Sequence, residues 1–187
     1  IDGILYTHEH NDHVIGLDDV RPFYFRQGNI AVYAHQRVMK ELKKRFEYIF
    51  AIEDKYPGAP TLDENIITNE AFNLGQKKVI PIQVYHGQLQ VFGFRINDLA
   101  YVTDAKYIAD EEIDKLKGVK VLVLNALRKD EHRTHLNLEQ AIEVAQKVGA
   151  KQTYFTHISH HMGFHKDVEK ELPKNIHLGY DNLQIEV

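Results

Sequence analysis

Cysteine and tryptophan are both absent from this sequence of 187 residues, and methionine occurs only twice. The lack of cysteine excludes disulfide bonds, cysteine nucleophiles and metal sites built from thiolates. No apolar run approaches the ~18 residues that a membrane-spanning helix needs, and the start of the chain lacks a signal-peptide pattern. We therefore expect a cytoplasmic protein without a membrane partner.

An excess of positive charge is missing as well. The chain has 23 basic and 27 acidic residues and a formal net charge of −4, so no overall basic field attracts nucleic acid. Residues 46–75 contain six acids and one base, a balance that opposes binding to a phosphate backbone. The charge pattern therefore argues against a nucleic-acid partner.

The length and the first residues bear on domain organisation. A chain of this size, 43% of it hydrophobic, corresponds to one domain. The chain begins at Ile1, and "IDGILYTHEH" resembles a strand entered partway through a domain rather than a translational start. We therefore expect a single domain over residues 1–187 that is incomplete at its N-terminal side.

The order of the predicted elements indicates an α/β fold. A strand over residues 1–6 precedes a helical pattern that stops at Pro22, and an amphipathic helix is predicted over residues 36–50. Short β-rich runs follow in "KKVIPIQVYHG", "LQVFGFRIN" and "LAYVTDA". The second half alternates between helix and strand and ends on a strand near "NLQIEV". This order predicts two sheets with helices packed outside.

The densest chemical signal is "THEHNDH", which places three histidines and an aspartate within seven positions. Imidazole is the commonest biological metal ligand, and carboxylates join it on zinc, manganese or iron. Four further candidates end hydrophobic strands or lie in the loops that follow them, where open α/β sheets place their ligand crevices. They are His86, Asp104, His135 and His157. We expect these groups to meet at one rim.

Local geometry suggests how the ligands divide. If His8 and His10 lie on an extended turn, alternation sends both side chains the same way. Asp12 and His13 open the next helix and point from another direction. One metal ion is then expected at His8, His10 and His86, and a second at Asp12, His13 and His157. Asp104 is expected to bridge the two ions. Each ion keeps an open position, as catalytic sites require.

These motifs resemble the H-x-H-x-D-H signature and the later metal motifs of the metallo-β-lactamase fold hydrolases. The stretches "DHVIGLDDVRPF", "YVTDAKYI" and "THLNLEQAIEVA" are similar to the branch that contains the phosphoribosyl cyclic phosphate phosphodiesterases, which is related to the tRNA 3′-processing endonucleases. The resemblance implies a four-layer αββα sandwich with a dinuclear metal site. Members of the family carry several strands before the first motif, and this chain shows none. The exposed sheet edge would pair with a missing N-terminal segment or with a second copy in a homodimer.

The function implied is a metal-dependent phosphodiesterase that cleaves small cyclic phosphate diesters. In this hypothesis a hydroxide that bridges two zinc or manganese ions, or iron, attacks phosphorus. Asp12 binds metal and can accept the proton of the water. The resemblance implies that His135 stands near the phosphate, where it stabilises charge or protonates the leaving oxygen. In the alternative interpretation His135 only lies at the start of a helix whose cap is Asn137.

Two other functions stay open. The first is an RNA 3′-processing endonuclease of the same fold, which requires a basic docking surface. The second is a non-catalytic metal-binding protein on the same scaffold, which would be marked by lost ligands. None of the seven expected ligands is missing from the sequence.

Overall fold

A computed structural model describes all 187 residues and divides them into two compact units, Ile1–Gln76 and Lys77–Val187. Each unit has its own hydrophobic core. Both units combine strands with helices, so the predicted α/β class is confirmed. The single domain expected over residues 1–187 stays a prediction. None of the helices is long and apolar enough to cross a bilayer.

The first unit is built on a parallel sheet in the order β1-β2-β3, with β1 at its edge. The residues of β2 alternate between buried and half-buried positions, as expected for a strand with one face on a core. The elements of the first unit are β1 (Ile4–Leu5), α1 (Asn11–Val14), a 3-10 helix (Ile15–Val20), α2 (Arg21–Gln27), β2 (Ile30–His35), α3 (Gln36–Arg45), α4 (Glu47–Phe50), β3 (Leu62–Ile67) and β4 (Phe72–Leu74).

The helical pattern after the histidine cluster differs from the prediction. Helix α2 does not stop at Pro22 but begins at Arg21, so that the proline occupies its first turn. Proline is tolerated there because the first amide groups of a helix have no partner within the helix. The helix expected over residues 36–50 is likewise interrupted, because Phe46 adopts a non-helical conformation between α3 and α4.

The second unit holds a sheet in the order β11-β10-β9-β7-β6-β5, and β8 also pairs with β5. Strands β5, β6 and β7 are antiparallel neighbours, whereas β7, β9, β10 and β11 are parallel. The elements are β5 (Lys77–His86), β6 (Leu89–Ile96), β7 (Leu99–Val102), β8 (Tyr107–Ile108), α5 (Asp110–Leu116), β9 (Val121–Asn125), α6 (Leu138–Val148), β10 (Gln152–Thr156), a 3-10 helix (His160–Met162), α7 (His165–Val168), a 3-10 helix (Glu169–Glu171) and β11 (Ile176–Leu178).

Both ends of α6 follow from local chemistry. Asn137 accepts a hydrogen bond from the Gln140 amide at 2.9 Å, and the Gln140 side chain accepts one from the Asn137 amide. This reciprocal pair satisfies two amides that the first turn leaves without a partner. Gly149 ends the helix in the left-handed conformation that glycine adopts without strain.

The last strand lies elsewhere than predicted. The sequence favours a strand near residues 182–187, but the structure places β11 at Ile176–Leu178, parallel to β10. The chain then leaves the sheet at Gly179, where an added Cβ would lie 2.9 Å from the carbonyl oxygen of Phe155. This close approach needs glycine, and the alternating apolar residues that follow form no strand.

The topology of the second unit brings four strand ends to one edge of its sheet. Strands β5 and β7 are both antiparallel to β6 and therefore run in the same direction, and β9 and β10 run parallel to β7. His86 ends β5, Asp104 follows β7, Asn125 ends β9 and His157 follows β10. The carboxyl ends of parallel strands are where α/β sheets carry their sites.

The close approach of β6 and β7 generates a stability prediction. A Cβ on Gly93 would lie 2.8 Å from the Tyr101 carbonyl oxygen and 2.9 Å from Val102 Cγ2. Gly93→Ala is therefore expected to lower the free energy of unfolding by about 1–3 kcal/mol, because neither the backbone nor a buried valine can move away cheaply. Urea denaturation followed by circular dichroism measures the change.

Gly16→Ala is the matched control, since the nearest atom to its added Cβ is 4.0 Å away. Its denaturation midpoint should equal or exceed that of the parent. Equal midpoints for both variants would mean that the two strands separate easily at this point.

Candidate metal centre

Three imidazole rings gather where the chain passes from β1 into α1. The ring of His8, which is fully buried, has its centroid 4.6 Å from that of His10 and 4.2 Å from that of His13. Asp12 Oδ2 lies 3.2 Å from His13 Nε2. The backbone is extended at His10 and helical from Asn11 onward. The first unit thus assembles all four predicted ligands of the H-x-H-x-D-H motif.

A buried carboxylate forms the centre of a second cluster. Asp104 is only 2% exposed, and its Oδ1 and Oδ2 atoms lie 3.3 Å from His157 Nε2 and 3.2 Å from His135 Nε2. The ring of His86 meets that of His135 edge-on, with centroids 4.5 Å apart. The second unit therefore brings together the four strand-end residues that the sequence singled out.

The ring of His86 is oriented by backbone carbonyl groups. Its Nδ1 lies 2.9 Å from the oxygen of Thr134 and 3.2 Å from that of Asp104. Because a carbonyl oxygen only accepts, Nδ1 carries the proton, and the neutral ring has its lone pair on Nε2. A hydrogen bond of this kind from the second ring nitrogen is typical of metal-binding histidines.

The backbone at the second cluster is held in an unusual conformation. Asp104 has φ 58° and His157 has φ 56°, in the left-handed region that residues other than glycine rarely adopt. Asn125 fixes the turn after Asp104: its side chain accepts from the Ala105 amide at 2.7 Å and donates to the Ala105 carbonyl at 3.0 Å. Thr103 donates to Asp104 Oδ1 at 2.7 Å. Such strain is typical of functional sites, where surrounding contacts maintain it.

The loops that carry the second cluster are also tied to one another. The Leu136 amide donates to Ala105, the Ala126 amide to Thr156, and the Ser159 amide to Leu127, at 2.8, 3.0 and 2.9 Å. These bonds join the loop over residues 126–137 to the segments after β7 and β10. The cluster is therefore positioned by backbone hydrogen bonds rather than by side chains alone.

His135 lies closer to the expected ligands than the sequence suggested. It is 8% exposed and contacts Asp104, while its Nδ1 lies 3.0 Å from Thr134 Oγ1 and 3.1 Å from His132 Nδ1. Burial first, and then electrostatic repulsion by neighbours that include His135 and Arg128, lowers the pKa of His132 below its usual range. The cap of α6 is Asn137, so His135 is not needed to start the helix.

Three residues of this cluster were missed by the sequence analysis: Thr103, Asn125 and His132. A polar residue within the apolar run "VLVLNAL" was the available signal for Asn125, which is fully buried. A buried amide requires hydrogen-bond partners, and here those partners are the turn of the cluster. His132 and Thr103 gave no signal beyond their proximity to candidate ligands.

The donor atoms suit a divalent cation. Every candidate donor is an imidazole nitrogen or a carboxylate oxygen, a set that zinc, manganese and iron all accept. In the second unit His86, Asp104 and His135 each offer one ligand atom, and these atoms lie within 4.8 Å of one another. Few protein ligands around each ion would leave a coordination position for water or substrate, as in catalytic sites.

The contacts of Asn125 predict a positioning role. Asn125→Leu removes both bonds to Ala105 and leaves its buried amide unsatisfied, while the Ala105 carbonyl keeps only the bond from the Leu136 amide. The free energy of unfolding should therefore fall by about 1–3 kcal/mol. The turn that presents Asp104 also loses its support, and we expect less metal per chain by elemental analysis.

Thr153→Val on the neighbouring strand β10 is the control. Thr153 is fully buried, and its hydroxyl has no hydrogen-bond partner. Its replacement should keep or raise stability and leave metal content unchanged. A leucine variant at Asn125 that retains the parent's metal content would contradict the positioning role.

Comparison with known proteins agrees with this chemistry. The sequence profile described as "Beta-lactamase superfamily domain" matches residues 1–158. The crystal structure of a new diphosphatase from the PhnP family is 38% identical, with a TM-score of 0.90, and the match covers all of this chain and 72% of that one. The short form of human tRNase Z, at 18% identity and a TM-score of 0.71, shares the fold over 100% of this chain and 79% of its own.

A relative from Porphyromonas gingivalis, an octanoyltransferase, is 39% identical over 186 residues. The match covers 98% of this chain but 37% of that protein, so the chain spans little more than a third of this curated relative. The profile covers most of this chain and the diphosphatase match covers most of both chains, and they confirm the resemblance drawn from the histidine motifs. The chain therefore belongs to the metallo-β-lactamase superfamily of metal-dependent hydrolases and has its α/β fold.

Proposed function

We propose that this hydrolase is a phosphodiesterase that cleaves small cyclic phosphate diesters, of the phosphoribosyl cyclic phosphate or cyclic nucleotide type. The observation that carries the proposal is the 38% identity, over the whole chain, to a diphosphatase, a protein that acts on phosphorus–oxygen bonds. The clustered histidines and the buried Asp104 supply the nitrogen and oxygen donors that such chemistry needs.

We further propose the ligand set that the family resemblance implies. His8, His10 and His86 would hold one divalent ion and Asp12, His13 and His157 the second, with Asp104 shared by both. The support is the internal geometry of each cluster: ring centroids lie 4.2–4.6 Å apart around His8, and His157 Nε2 lies 3.3 Å from Asp104 Oδ1. Zinc or manganese fits this set best, and iron is compatible with it.

Bound divalent ions supply Lewis acidity, which lowers the pKa of a water molecule and neutralises the charge of the phosphate. In the proposed reaction an oxygen of water bonds to phosphorus, and the bond between phosphorus and one sugar oxygen breaks. Asp12, whose side chain is 66% exposed, is placed to accept the proton that the water loses. The sugar oxygen that leaves takes up a proton.

His135 is the residue that we assign to the leaving oxygen. Its Nε2 lies 3.2 Å from Asp104 Oδ2, and Thr134 Oγ1 and His132 contact its Nδ1. With a metal ion held by the carboxylate of Asp104, a proton on His135 Nε2 would be free to pass to the departing oxygen. General acids of this kind typically contribute about 10²–10⁴-fold in rate.

The partner that follows from this proposal is a small phosphodiester rather than a nucleic acid. The endonuclease alternative would need basic residues for a phosphate backbone, and residues 46–75 contain six acids and one base. The likeness to human tRNase Z, at 18% identity, extends to the fold alone. A non-catalytic role is disfavoured because all seven expected ligands are present.

Elemental analysis combined with a panel of diesters tests the proposal. The purified protein should contain zinc, manganese or iron and should hydrolyse bis-p-nitrophenyl phosphate together with at least one small cyclic diester. Removal of the metal by a chelator should abolish hydrolysis, and its return should restore it. A metal-loaded protein that cleaves none of the diesters would refute the phosphodiesterase assignment.

Substitution of His135 separates acid catalysis from metal binding. His135→Ala should keep the metal content of the parent and lower kcat about 10²–10⁴-fold for diesters with poor leaving groups. Activated p-nitrophenyl esters should be slowed less, because their leaving group hardly needs a proton. Asp104→Ala should instead lose both metal and activity. Loss of metal from the His135 variant, or an equal slowing of both substrate types, would identify a ligand or a simple phosphate contact.

A further inference from the structure

An ion pair within the first unit joins helix α3 to the histidine segment, which we define as residues 7–13. Glu9 lies between His8 and His10 in the chain, and the guanidinium of Arg37 contacts its carboxylate at two points. Arg37 Nε lies 2.8 Å from Glu9 Oε1, and Arg37 Nη2 donates to Glu9 Oε2 at 3.1 Å. Two bonds of this kind fix the orientation of the paired groups as well as their distance.

This ion pair is shielded from water on one side. The side chain of Glu9 is 14% exposed and that of Arg37 is 35% exposed. Fully exposed ion pairs contribute little, because solvent screens them and both side chains lose conformational freedom. A carboxylate that is largely removed from water instead needs a charged partner. Arg37 therefore determines where the side chain of Glu9 lies.

The position of Arg37 is fixed by the helix that carries it. Arg37 lies in the first turn of α3, and the apolar side chains of this helix are buried in the core of the first unit. Tyr6 and Val14, which flank the histidine segment, belong to the same core. The core thus holds the helix and both ends of the segment, and Arg37 connects the helix to the interior of the segment.

A second arginine of α3 contacts the segment more loosely. Arg45, the last residue of the helix, donates from Nη1 to Asn11 Oδ1 at 2.6 Å. Asn11 is exposed, so water competes for this hydrogen bond and its net contribution is small. The contact of Arg37 with Glu9 is therefore the stronger of the two.

Glu9 connects the ion pair to the candidate ligands. The ring centroids of His8 and His10 are 4.6 Å apart, so these two side chains share one side of the segment. Side chains alternate along extended backbone, so the residue between them points to the opposite side. When Arg37 holds Glu9 toward α3, both rings are kept on the other side, where one metal ion can meet them.

We propose that the ion pair of Arg37 and Glu9 is a clamp that positions the histidine segment for metal binding. The inference rests on the ligand set proposed above, because the clamp acts on His8 and His10. Arg37 is a positioning residue, since it acts through Glu9 rather than by contact with an ion. Replacing residues that orient metal ligands typically changes metal affinity about 10- to 100-fold.

Arg37→Gln in the full chain tests the clamp through zinc affinity, measured by competition with a chromophoric chelator. The dissociation constant for zinc should rise about 10- to 100-fold. The charge of Arg37 alone predicts the opposite, because loss of a nearby cation should tighten the binding of a divalent ion. Arg37→Lys keeps the charge but loses the two-point contact, so its affinity should be intermediate. Equal or tighter zinc binding by Arg37→Gln would overturn the clamp.

Glu9→Gln tests the other half of the ion pair. This variant should also bind zinc more weakly than the parent. The double variant Glu9→Gln with Arg37→Gln should bind zinc no more weakly than Arg37→Gln alone, because residues that act through one contact are not additive. Losses that multiply in the double variant would show that the two residues act separately, against the clamp.

Lys43→Gln is the matched control. It removes a cation from the same helix and breaks an ion pair of 2.6 Å, but the partner of Lys43 is Glu64 on β3 and not the histidine segment. Its zinc affinity should equal that of the parent. A loss as large as that of Arg37→Gln would assign the effect to the stability of α3 and refute the clamp.

Cobalt substitution separates a change in ligand position from a change in stability. The visible absorption of bound Co²⁺ depends on its coordination geometry, so the spectra of the saturated parent and of saturated Arg37→Gln should differ. The spectrum of Lys43→Gln should match that of the parent. Identical spectra for the parent and the Arg37 variant would show that the ligands keep their places without the ion pair.

Diester hydrolysis by the same preparations keeps the clamp distinct from the proposed function. If the parent binds zinc but cleaves no diester, and Arg37→Gln binds zinc more weakly, the phosphodiesterase assignment is wrong and the clamp stands. If the parent binds zinc and cleaves diesters, and Arg37→Gln binds zinc equally well, the clamp is wrong and the phosphodiesterase stands.

Discussion

The buried carboxylate of Asp104 imposes the strongest constraint on the second unit. A carboxylate removed from water is costly unless hydrogen bonds or opposite charges compensate it. Here Thr103, His135 and His157 surround its two oxygens at 2.7–3.3 Å. Compensation at this density requires several loops to meet at one point, and the parallel ends of β7, β9 and β10 make that possible. The fold of the sheet and the chemistry of the cluster are thus two aspects of one arrangement.

The same constraint explains where the backbone is strained. Asp104 and His157 adopt left-handed conformations shortly after β7 and β10, and their side chains meet at the edge of the sheet. Strain of this kind costs on the order of 1–3 kcal/mol per residue and persists where neighbouring contacts enforce it. Asn125, fully buried and bonded to both polar groups of Ala105, provides part of that enforcement.

The sequence predicted regular elements well where one physical effect dominated. Strands β5 and β6 follow from their apolar runs, and α6 from its periodicity and its Asn137 cap. The predicted positions of helices and strands were wrong where tertiary packing outweighed the local conformational preference of the sequence. Pro22 suggested the end of a helix and instead occupies the start of one. The alternating residues 182–187 favoured a strand, but the place beside β10 is taken by β11.

The residues of the candidate site, like the helices and strands, were predicted from the sequence only in part. Histidine and aspartate at motif spacing predicted the candidate ligands, because metal chemistry restricts the residue types that can serve. Asn125 could not be found in the same way, since it acts through contacts made between distant parts of the chain. Thr103 and His132 each contact a candidate residue close in sequence, but no motif marks them. Asn125 and Ala105 are 20 positions apart, and no rule of spacing connects them. Such supporting residues become visible only with the hydrogen bonds of the folded chain.

The loop over residues 126–137 is held at its two ends by backbone hydrogen bonds, from the Ala126 amide to Thr156 and from the Leu136 amide to Ala105. At its tip the side chains of Arg128 and Asn137 bond to carbonyl groups of the loop itself, and Lys129 pairs with Glu171. The backbone bonds that join the ends to the cluster therefore do not depend on the side chains of the tip. Substitutions at the tip can accumulate in evolution without rebuilding the cluster, so a single exposed segment can vary while the candidate metal ligands keep their places.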